Sequence, residues 1–242
     1  MTGFQDARLL LERANKHSQE LFEECRKLWR LETEATSSQD FRHRITFNRA
    51  DQPKLRPIAA DVANNLRHAL DHVAAEAARQ HFGMTDLDHN IRQKIKFPFP
   101  EWDDTLELST NALAPFVSEE VCNRINAVWK SPVTYPYYLH VVRVVSGAAK
   151  HWELRSIEPQ ILAIQPFPFP GPVIGVPAGH FEGNDSFEWE GPAIEGCQTV
   201  ERLVFGDISH RPATIPSPPN PDTVFRTTAT YVRRMIEALE SE

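Results

Sequence analysis

Apolar residues recur at steps of three and four along much of the chain, with charged and polar residues between them. This spacing is typical of helices that bury one side. It predicts a helix over residues 5–32, a second over residues 55–82 that Gly83 ends, and a third over residues 136–152. The third helix is the most apolar of the chain, so we expect it to lie at the centre of the fold.

Two further helices are indicated by their first residues. Ser118 can cap a helix over residues 118–129, and the two glutamates that follow it suit the positive end of that helix. Near the C-terminus, Asn220 and Pro221 are typical of a helix start, and the apolar spacing predicts that this last helix ends near Leu239. The sequence therefore predicts about five helices.

Strand signals are concentrated after the third helix. Short apolar runs separated by proline and glycine predict small antiparallel strands there. These runs cover residues 161–164, 173–176, 187–189 and 200–205. An earlier strand is predicted over residues 42–48, where Ile45 and Phe47 alternate with polar residues, and the prolines of residues 96–102 make that segment extended.

Together these elements predict a predominantly helical α+β fold, a bundle of about five helices with a small antiparallel β-rich portion. We expect residues 1–154 to form a helical core domain and residues 155–211 to form a β-rich portion packed on it. Residues 212–242 are predicted to be a proline-rich linker and a C-terminal helix that returns to the core.

The composition is that of an ordinary soluble protein, because 41% of the 242 residues are hydrophobic and 24% are charged. No apolar run is long enough for a membrane span, and the first residues do not resemble a signal peptide. Three widely separated cysteines indicate a reducing compartment, so we expect a cytoplasmic protein. The sequence has no motif of serine hydrolases, P-loop enzymes, dinucleotide-binding folds or sequence-specific DNA binding, so no cofactor is expected.

The charges are unevenly distributed around a net charge of −7. Residues 42–56 hold five basic residues against one acidic residue, whereas residues 182–201 hold six acidic residues and no Lys or Arg. Two interpretations are open. The two stretches are solvated surface on different parts of the fold, or they make a polarised molecule whose basic side meets phosphate.

The predicted helix over residues 55–82 carries an unusual polar side. Short amides, carboxylates and imidazoles occur there in place of the Glu, Lys and Gln typical of a face in bulk water, and they suit a polar cleft or interface. The members are Asp61, Asn64, Arg67, His68, Asp71 and His72. His68 and His72 have no third ligand in the sequence, so no metal site is expected. Glu76 is expected at an exposed edge of this helix.

A narrow polar stripe also follows the apolar third helix. Its members are His140, Arg143, Gly147, Lys150 and His151. A basic stripe on a buried helix needs partners, because an unpaired buried charge costs several kcal/mol, and we expect Asp71 to meet Lys150 or His151. The stripes either fix the packing of two helices or line one cleft, in which the basic residues bind an anionic substrate and a histidine moves protons.

The segment from Arg67 to His72 resembles the R-x-x-x-x-H element of HEPN-domain ribonucleases. In that family two helical protomers pair so that their motifs share a cleft, and RNA is cleaved without metal by attack of its own 2′-hydroxyl. The resemblance implies that Arg67 holds the phosphate and that His72 transfers a proton or stabilises the transition state. It also implies RNA as substrate, a homodimer, and supporting roles for Asn64, His68 and Asp71.

A second resemblance covers roughly residues 5–155. The elements N-L-R-x-A-L-D-H, F-P and K-H are similar to elements spaced through a group of uncharacterised bacterial proteins of similar length. Trp152 stands where that group commonly has an arginine. The group implies no activity, but its elements include residues that the polar stripes also select, namely Arg67, Asp71, His72, Lys150 and His151.

Two function hypotheses follow from these patterns. The first is a HEPN-like, metal-independent endoribonuclease, of the kind that serves as a toxin or defence effector, with Arg67 and His72 as catalytic residues. The alternative is a non-catalytic helical binding or scaffold module, whose polar stripes hold its own fold, a protein or a small anionic partner. The two differ in whether His72 and His151 share a solvent-accessible cleft.

Overall fold

Helices dominate the structure, a computed structural model that describes residues 3–84, 87–100, 110–129, 134–150, 157–167, 174–176, 180, 184–192, 194, 196–205 and 220–240. The helices are α1 (Gln5–Lys27), α2 (Leu55–Phe82), α3 (His89–Lys94), α4 (Glu119–Trp129), α5 (Thr134–Lys150) and α6 (Pro221–Glu240). With the small antiparallel sheets described below, they confirm the predicted α+β fold that is mostly helical.

The long helix α2 is the centre of the helical packing. It contacts α1, α5 and α6, and α4 packs on α6. Its side chains at Leu66, Leu70 and Val73 are almost completely buried, as the three- and four-residue spacing predicted. Because α2 is covered on several sides, part of its polar side, including Arg67 and Asp71, lies close to neighbouring elements.

Three predicted helix ends are confirmed, each at a residue whose conformation or side chain favours the start or the end of a helix. Gly83 adopts a left-handed conformation with φ of 61° and ends α2. The Ser118 hydroxyl accepts a hydrogen bond from the Val121 backbone N–H at 3.2 Å, just before α4 begins. Asn220 caps α6 in the same way, since its Oδ1 accepts a hydrogen bond from the Asp222 N–H at 2.9 Å. The end of the predicted helix near Trp152 lies outside the described residues.

The prediction of one helix over residues 5–32 is wrong at its C-terminal end. Helix α1 stops at Lys27, and Trp29–Ala35 forms the strand β1. Leu28 and Leu31 continue the three-residue spacing, but Trp29 and Leu31 also alternate with polar residues, which suits a strand equally well. Pairing with a neighbouring strand, in which Trp29 lies opposite Phe47, decides in favour of the strand.

The strands form two antiparallel three-stranded sheets. The first sheet has the order β1-β2-β5 and the second has the order β4-β3-β6. Their ranges are β2 (Phe41–Phe47), β3 (Ile157–Phe167), β4 (Ile174–Gly175), β5 (Ser186–Gly191) and β6 (Gly196–Phe205). All four strands predicted beyond the third helix are therefore present, and β5 completes a sheet that begins with the N-terminal hairpin β1-β2.

Buried aromatic residues tie the proline-containing segment after α3 to the helices. Phe97 is 3% exposed and lies edge-on to Tyr231 of α6, with the ring centroids 6.3 Å apart. The Tyr231 ring also meets Trp129 of α4 at 6.1 Å. We call residues 97–100 the proline-aromatic segment. It forms neither helix nor strand, and the Phe99 N–H donates a hydrogen bond to the Phe97 carbonyl oxygen at 2.9 Å, so the chain makes a tight turn there and not the uninterrupted extended segment that the prolines predicted. The segment lies against α2, α5 and α6.

Within the described part of the chain, no helix combines the length and the apolar character needed to cross a lipid bilayer.

Candidate functional site

The polar side of α2 divides into two parts that face different surroundings. Arg67 and Asp71 are half-buried, whereas His68 and His72 are exposed. Arg67 and His72 are five residues apart, which places them about 140° from each other around the helix axis. The two residues of the R-x-x-x-x-H element therefore leave α2 in different directions.

Arg67 reaches from α2 to α5. Its Nη1 donates a hydrogen bond to the Ser146 hydroxyl at 3.2 Å, and Ser146 in turn donates to the Arg143 carbonyl oxygen at 3.1 Å. The guanidinium carbon also lies 5.8 Å from the centre of the Phe99 ring, which is cation–π distance. These contacts confirm that the helices carrying Arg67 and Lys150 are neighbours, and they direct the Arg67 cation into the protein.

Asp71 holds the proline-aromatic segment. Its Oδ1 accepts a hydrogen bond from the backbone N–H of Phe97 at 3.0 Å. A carboxylate that accepts from a backbone N–H makes a charge-assisted bond, stronger than one between neutral groups. The predicted partners of Asp71, the side chain of Lys150 and residue His151, lie outside the described residues.

His140 holds the same segment from α5. It is 6% exposed, and its Nδ1 lies 3.5 Å from the carbonyl oxygen of Pro100. Together with Arg67 and Asp71, it surrounds the segment from two helices. Arg67, Asp71 and His140, which were predicted to contact a substrate, therefore contact the chain itself. Arg143 is half-buried on α5, and its backbone carbonyl oxygen accepts the hydrogen bond from Ser146.

The exposed part of the polar side lies next to the start of α1. His72 Nδ1 is 3.8 Å from Asp6 Oδ2, and the two side chains are 49% and 71% exposed. His68 lies one helical turn before His72 and is also exposed. Asn64, another turn earlier, is half-buried, and its Oδ1 accepts no hydrogen bond from the described residues. We call His68, His72 and Asp6 the exposed row; within the described part of the predicted site, His68 and His72 are the exposed residues.

Glu76 departs from its expected exposed position. It is 9% exposed, and its Oε2 accepts a hydrogen bond from Arg79 Nη1 at 2.6 Å. A Cβ placed on Gly3 would approach Glu76 Oε1 to 2.6 Å, so the chain before α1 lies directly over this carboxylate. The packing of that N-terminal segment buries Glu76, which no local pattern on α2 could indicate.

The basic and acidic stretches lie opposite each other in one sheet. Arg42 pairs with Glu190 at 3.6 Å, and Arg49 pairs with Asp185 at 2.8 Å. Between these pairs, Arg44 pairs with Glu188. Both interpretations of the sequence are therefore wrong for these residues, because the stretches are neither on separate parts of the fold nor a free basic side. Antiparallel pairing of β2 with β5 makes them neutralise each other.

A cleft of about 360 Å³ lies among α1, α2 and α6. Apolar side chains of all three helices form part of its wall, and amide and hydroxyl groups of α1 form another part. The residues concerned are Phe22, Val62, Leu66, Phe225, Asn15, Ser18 and Gln19. Asp222 and Arg226, an ion pair at 2.5 Å on α6, lie at the same cleft. No local pattern in the sequence marks this cleft, because its wall combines residues from three distant segments.

The described residues contain no group of three or more His, Cys, Asp or Glu side chains arranged to hold a metal ion. Sequence reasoning also missed Ser146 and Asp6, the partners of Arg67 and His72. Nothing in their local sequence marks them, since both become neighbours of α2 only through helix packing.

The chain matches no family model, no curated protein and no solved structure in the comparisons. The resemblance to HEPN-domain ribonucleases therefore stays a hypothesis that depends on the residues from Arg67 to His72.

Proposed function

We propose that the chain is a non-catalytic helical module that acts by binding a partner. The observation that carries this proposal is that Arg67 and Asp71 are engaged within the chain, with Ser146, Phe99 and the backbone of Phe97. A phosphate clamp must offer its cation to a ligand, whereas the Arg67 cation is directed toward α5 and the Phe99 ring. The polar stripes accordingly serve to hold the proline-aromatic segment on α2 and α5.

The ligand surface of this module is the cleft among α1, α2 and α6. It offers apolar side chains beside a set of hydrogen-bonding groups, the combination found in sites for small organic molecules. Ser18 is half-buried at this cleft, so a large residue there fills the space without replacing a buried side chain.

A screen of a small-molecule fragment library by ligand-observed NMR tests this assignment. Fragments that bind the wild-type protein should lose binding in Ser18→Trp and keep it in Glu12→Trp, an exposed position of the same helix outside the cleft. Equal binding by wild type and Ser18→Trp would contradict the cleft as the ligand surface. Circular dichroism spectra that match the wild type would show that both variants fold.

A second candidate function is metal-independent RNA cleavage, and the exposed row of His68, His72 and Asp6 favours it. RNA carries its own nucleophile, so the protein need only move protons. One imidazole takes the proton of the 2′-hydroxyl, and a protonated imidazole gives a proton to the departing 5′ oxygen. In this arrangement His68, one turn away, supplies the second group in place of Arg67.

One assay separates the two candidates. If the second is right, the protein cleaves single-stranded RNA in the presence of EDTA and leaves 2′,3′-cyclic phosphate ends. His72→Ala should then lower the rate by about 10² to 10⁴, the usual contribution of a positioned proton-transfer group. His17→Ala is the control variant, because His17 pairs with Glu20 on α1 and is not part of the exposed row. This variant should leave the cleavage rate unchanged. No cleavage by wild type supports the binding module, and equal cleavage by wild type and His72→Ala contradicts the role of His72.

A further inference from the structure

The strand β1 forms the outer edge of the sheet β1-β2-β5. It is seven residues long, and its residues from Glu32 to Ala35 are all exposed, while Trp29 and Leu31 are half-buried. Edge strands of this length are usually covered or blunted, because their outward backbone groups can pair with another strand. Among the described residues no strand pairs with the outer side of β1, so this edge can extend the sheet.

The backbone groups that face this edge follow from the pairing of β1 with β2. Asn48 N–H donates to the Leu28 carbonyl oxygen, and Thr36 N–H donates to the Asp40 carbonyl oxygen, at the two ends of the ladder. In an antiparallel pair, alternate residues direct both backbone groups to the same side. The even-numbered residues of β1 thus face β2, and Leu31, Thr33 and Ala35 direct their N–H and C=O groups to the outer edge.

The charged residues of β1, one base followed by two acids, lie at a spacing of two residues at Arg30, Glu32 and Glu34. Arg30 and Glu32 lie on the same exposed face, where they form an ion pair along the strand at 3.4 Å. An antiparallel second copy of β1, related by a twofold axis through Leu31, places each Arg30 opposite Glu32 of the other copy. The same axis places the two Leu31 side chains opposite each other on the apolar face.

Neighbouring alignments are less complementary. An axis through Glu32 places each Arg30 opposite Glu34 of the other copy, but it also places the two Glu32 side chains opposite each other. An axis through Thr33 places Glu32 opposite Glu34 and gives Arg30 no acidic partner. Like charges directly opposite each other destabilise a strand pair. From this we propose that the β1 edge binds the β1 edge of a second copy of the chain, antiparallel and centred on Leu31, to form a continuous six-stranded sheet. This pairing is independent of the function proposed above.

The first test is the mass of the protein in solution. Size-exclusion chromatography with light scattering should give twice the mass of the chain for wild type. Leu31→Pro should shift the protein to the mass of a single chain, since proline removes an N–H that points away from β2 and is tolerated on edge strands. Leu31→Val, which keeps the N–H, should remain dimeric. A wild-type protein with the mass of one chain at concentrations up to about 1 mM, where even a weak complex forms, would overturn the proposal.

The second test uses the charges and does not depend on proline. Arg30→Glu and Glu32→Arg should each weaken the dimer by about tenfold or more, because each creates two like-charge contacts. The double variant Arg30→Glu/Glu32→Arg restores opposite charges across the axis and should recover the dimer. A folded double variant that stays as weak as the single variants would overturn the alignment.

The third test locates the axis. Under mild oxidation, Leu31→Cys should form a disulfide between two chains, since residues facing each other across a strand pair have Cα atoms within disulfide range. Thr33→Cys should not, because Thr33 lies opposite residue 29 in this alignment. A disulfide formed by Thr33→Cys in preference to Leu31→Cys would contradict the axis through Leu31.

Discussion

Arg44 on β2 forms an ion pair with Glu188 on β5, although 144 residues separate them along the chain. Glu32 of β1 lies opposite Arg44 on its other side, so the row across the sheet reads acid, base, acid. The next row, with Glu34, Arg42 and Glu190, has the same order. Each of these two arginines of β2 therefore lies between an acidic residue of β1 and an acidic residue of β5, a strand far away along the chain.

The pair between Arg44 and Glu188 should contribute little to stability, because its side chains are 49% and 41% exposed. Arg44→Ala should lower the free energy of unfolding by about 0.2–1 kcal/mol in urea denaturation at low salt. Arg44→Glu should cost more, since it places three acidic residues in one row. The difference between the two variants should shrink in about 1 M NaCl, where charges are screened within about 3 Å. A difference that persists at high salt would show that packing, not charge, is responsible.

Loss of the Asp71 carboxylate should loosen the proline-aromatic segment. Asp71→Ala leaves the Phe97 N–H without its acceptor and should lower the free energy of unfolding by about 1–3 kcal/mol. Asp71→Asn should cost less, because an amide oxygen can accept the same hydrogen bond. Asp61→Ala, an exposed position of the same helix, serves as the control and should change stability by less than about 0.5 kcal/mol. Equal urea midpoints for the two alanine variants would show that Asp71 is merely solvated.

Two glycines should respond in opposite directions to alanine. Gly83→Ala should destabilise the protein by about 1–2 kcal/mol, because the left-handed backbone conformation there disfavours a Cβ. Gly147→Ala, inside α5, should stabilise it by up to about 1 kcal/mol through higher helix propensity. Among the described residues, a Cβ meets no atom within 4 Å at either position, so contacts with them do not obscure the comparison. Thermal denaturation of the two variants measures the difference, and shifts of the same sign would contradict it.

Alkaline pH should unfold the protein partly through Tyr231. Burial raises the pKa of the Tyr231 phenol well above its usual range, so the folded state keeps the proton at a pH where the unfolded state loses it. This contribution to stability is complete below the unfolded pKa of about 10 and is lost as the pH rises above that value. Tyr231→Phe has no proton to lose and should show a weaker decline in urea midpoint between about pH 9.5 and 11.5 than wild type. Parallel pH profiles for wild type and Tyr231→Phe would contradict this prediction.

Features that depend on nearby residues could be predicted from the sequence. The bounds of α2 followed from apolar spacing and from Gly83, and the start of α6 followed from Asn220 and Pro221. The end of α1 could not be predicted, because the residues after Lys27 suit both a helix and a strand and only the pairing with β2 separates the two. The same limit applies to β5, whose pairing with β2 is not contained in any local pattern.

The candidate site shows this limit within a single helix. The unusual polar composition of α2 correctly indicated surroundings other than bulk water at Arg67 and Asp71, which are half-buried, but not at Asp61, His68 and His72, which are exposed. Their partners, Ser146 and the Phe97 backbone, come from segments whose position depends on the packing of α5 and α6. The polar pattern along α2 therefore indicated that some of its residues contact other parts of the chain. It could not indicate which residues they contact.

The pairing of β5 with the N-terminal hairpin has a consequence for protein synthesis. The hairpin and the two long helices that flank it emerge from the ribosome well before residues 186–191. At about 5–20 residues per second, the 144 residues between Arg44 and Glu188 take roughly 7–30 seconds to translate. During that interval the β2 edge of the nascent chain has no β5 to cover it. The arginines of β2 keep that edge charged until its acidic partner strand is made, and charged side chains are one of the features that discourage an open edge strand from pairing with another chain.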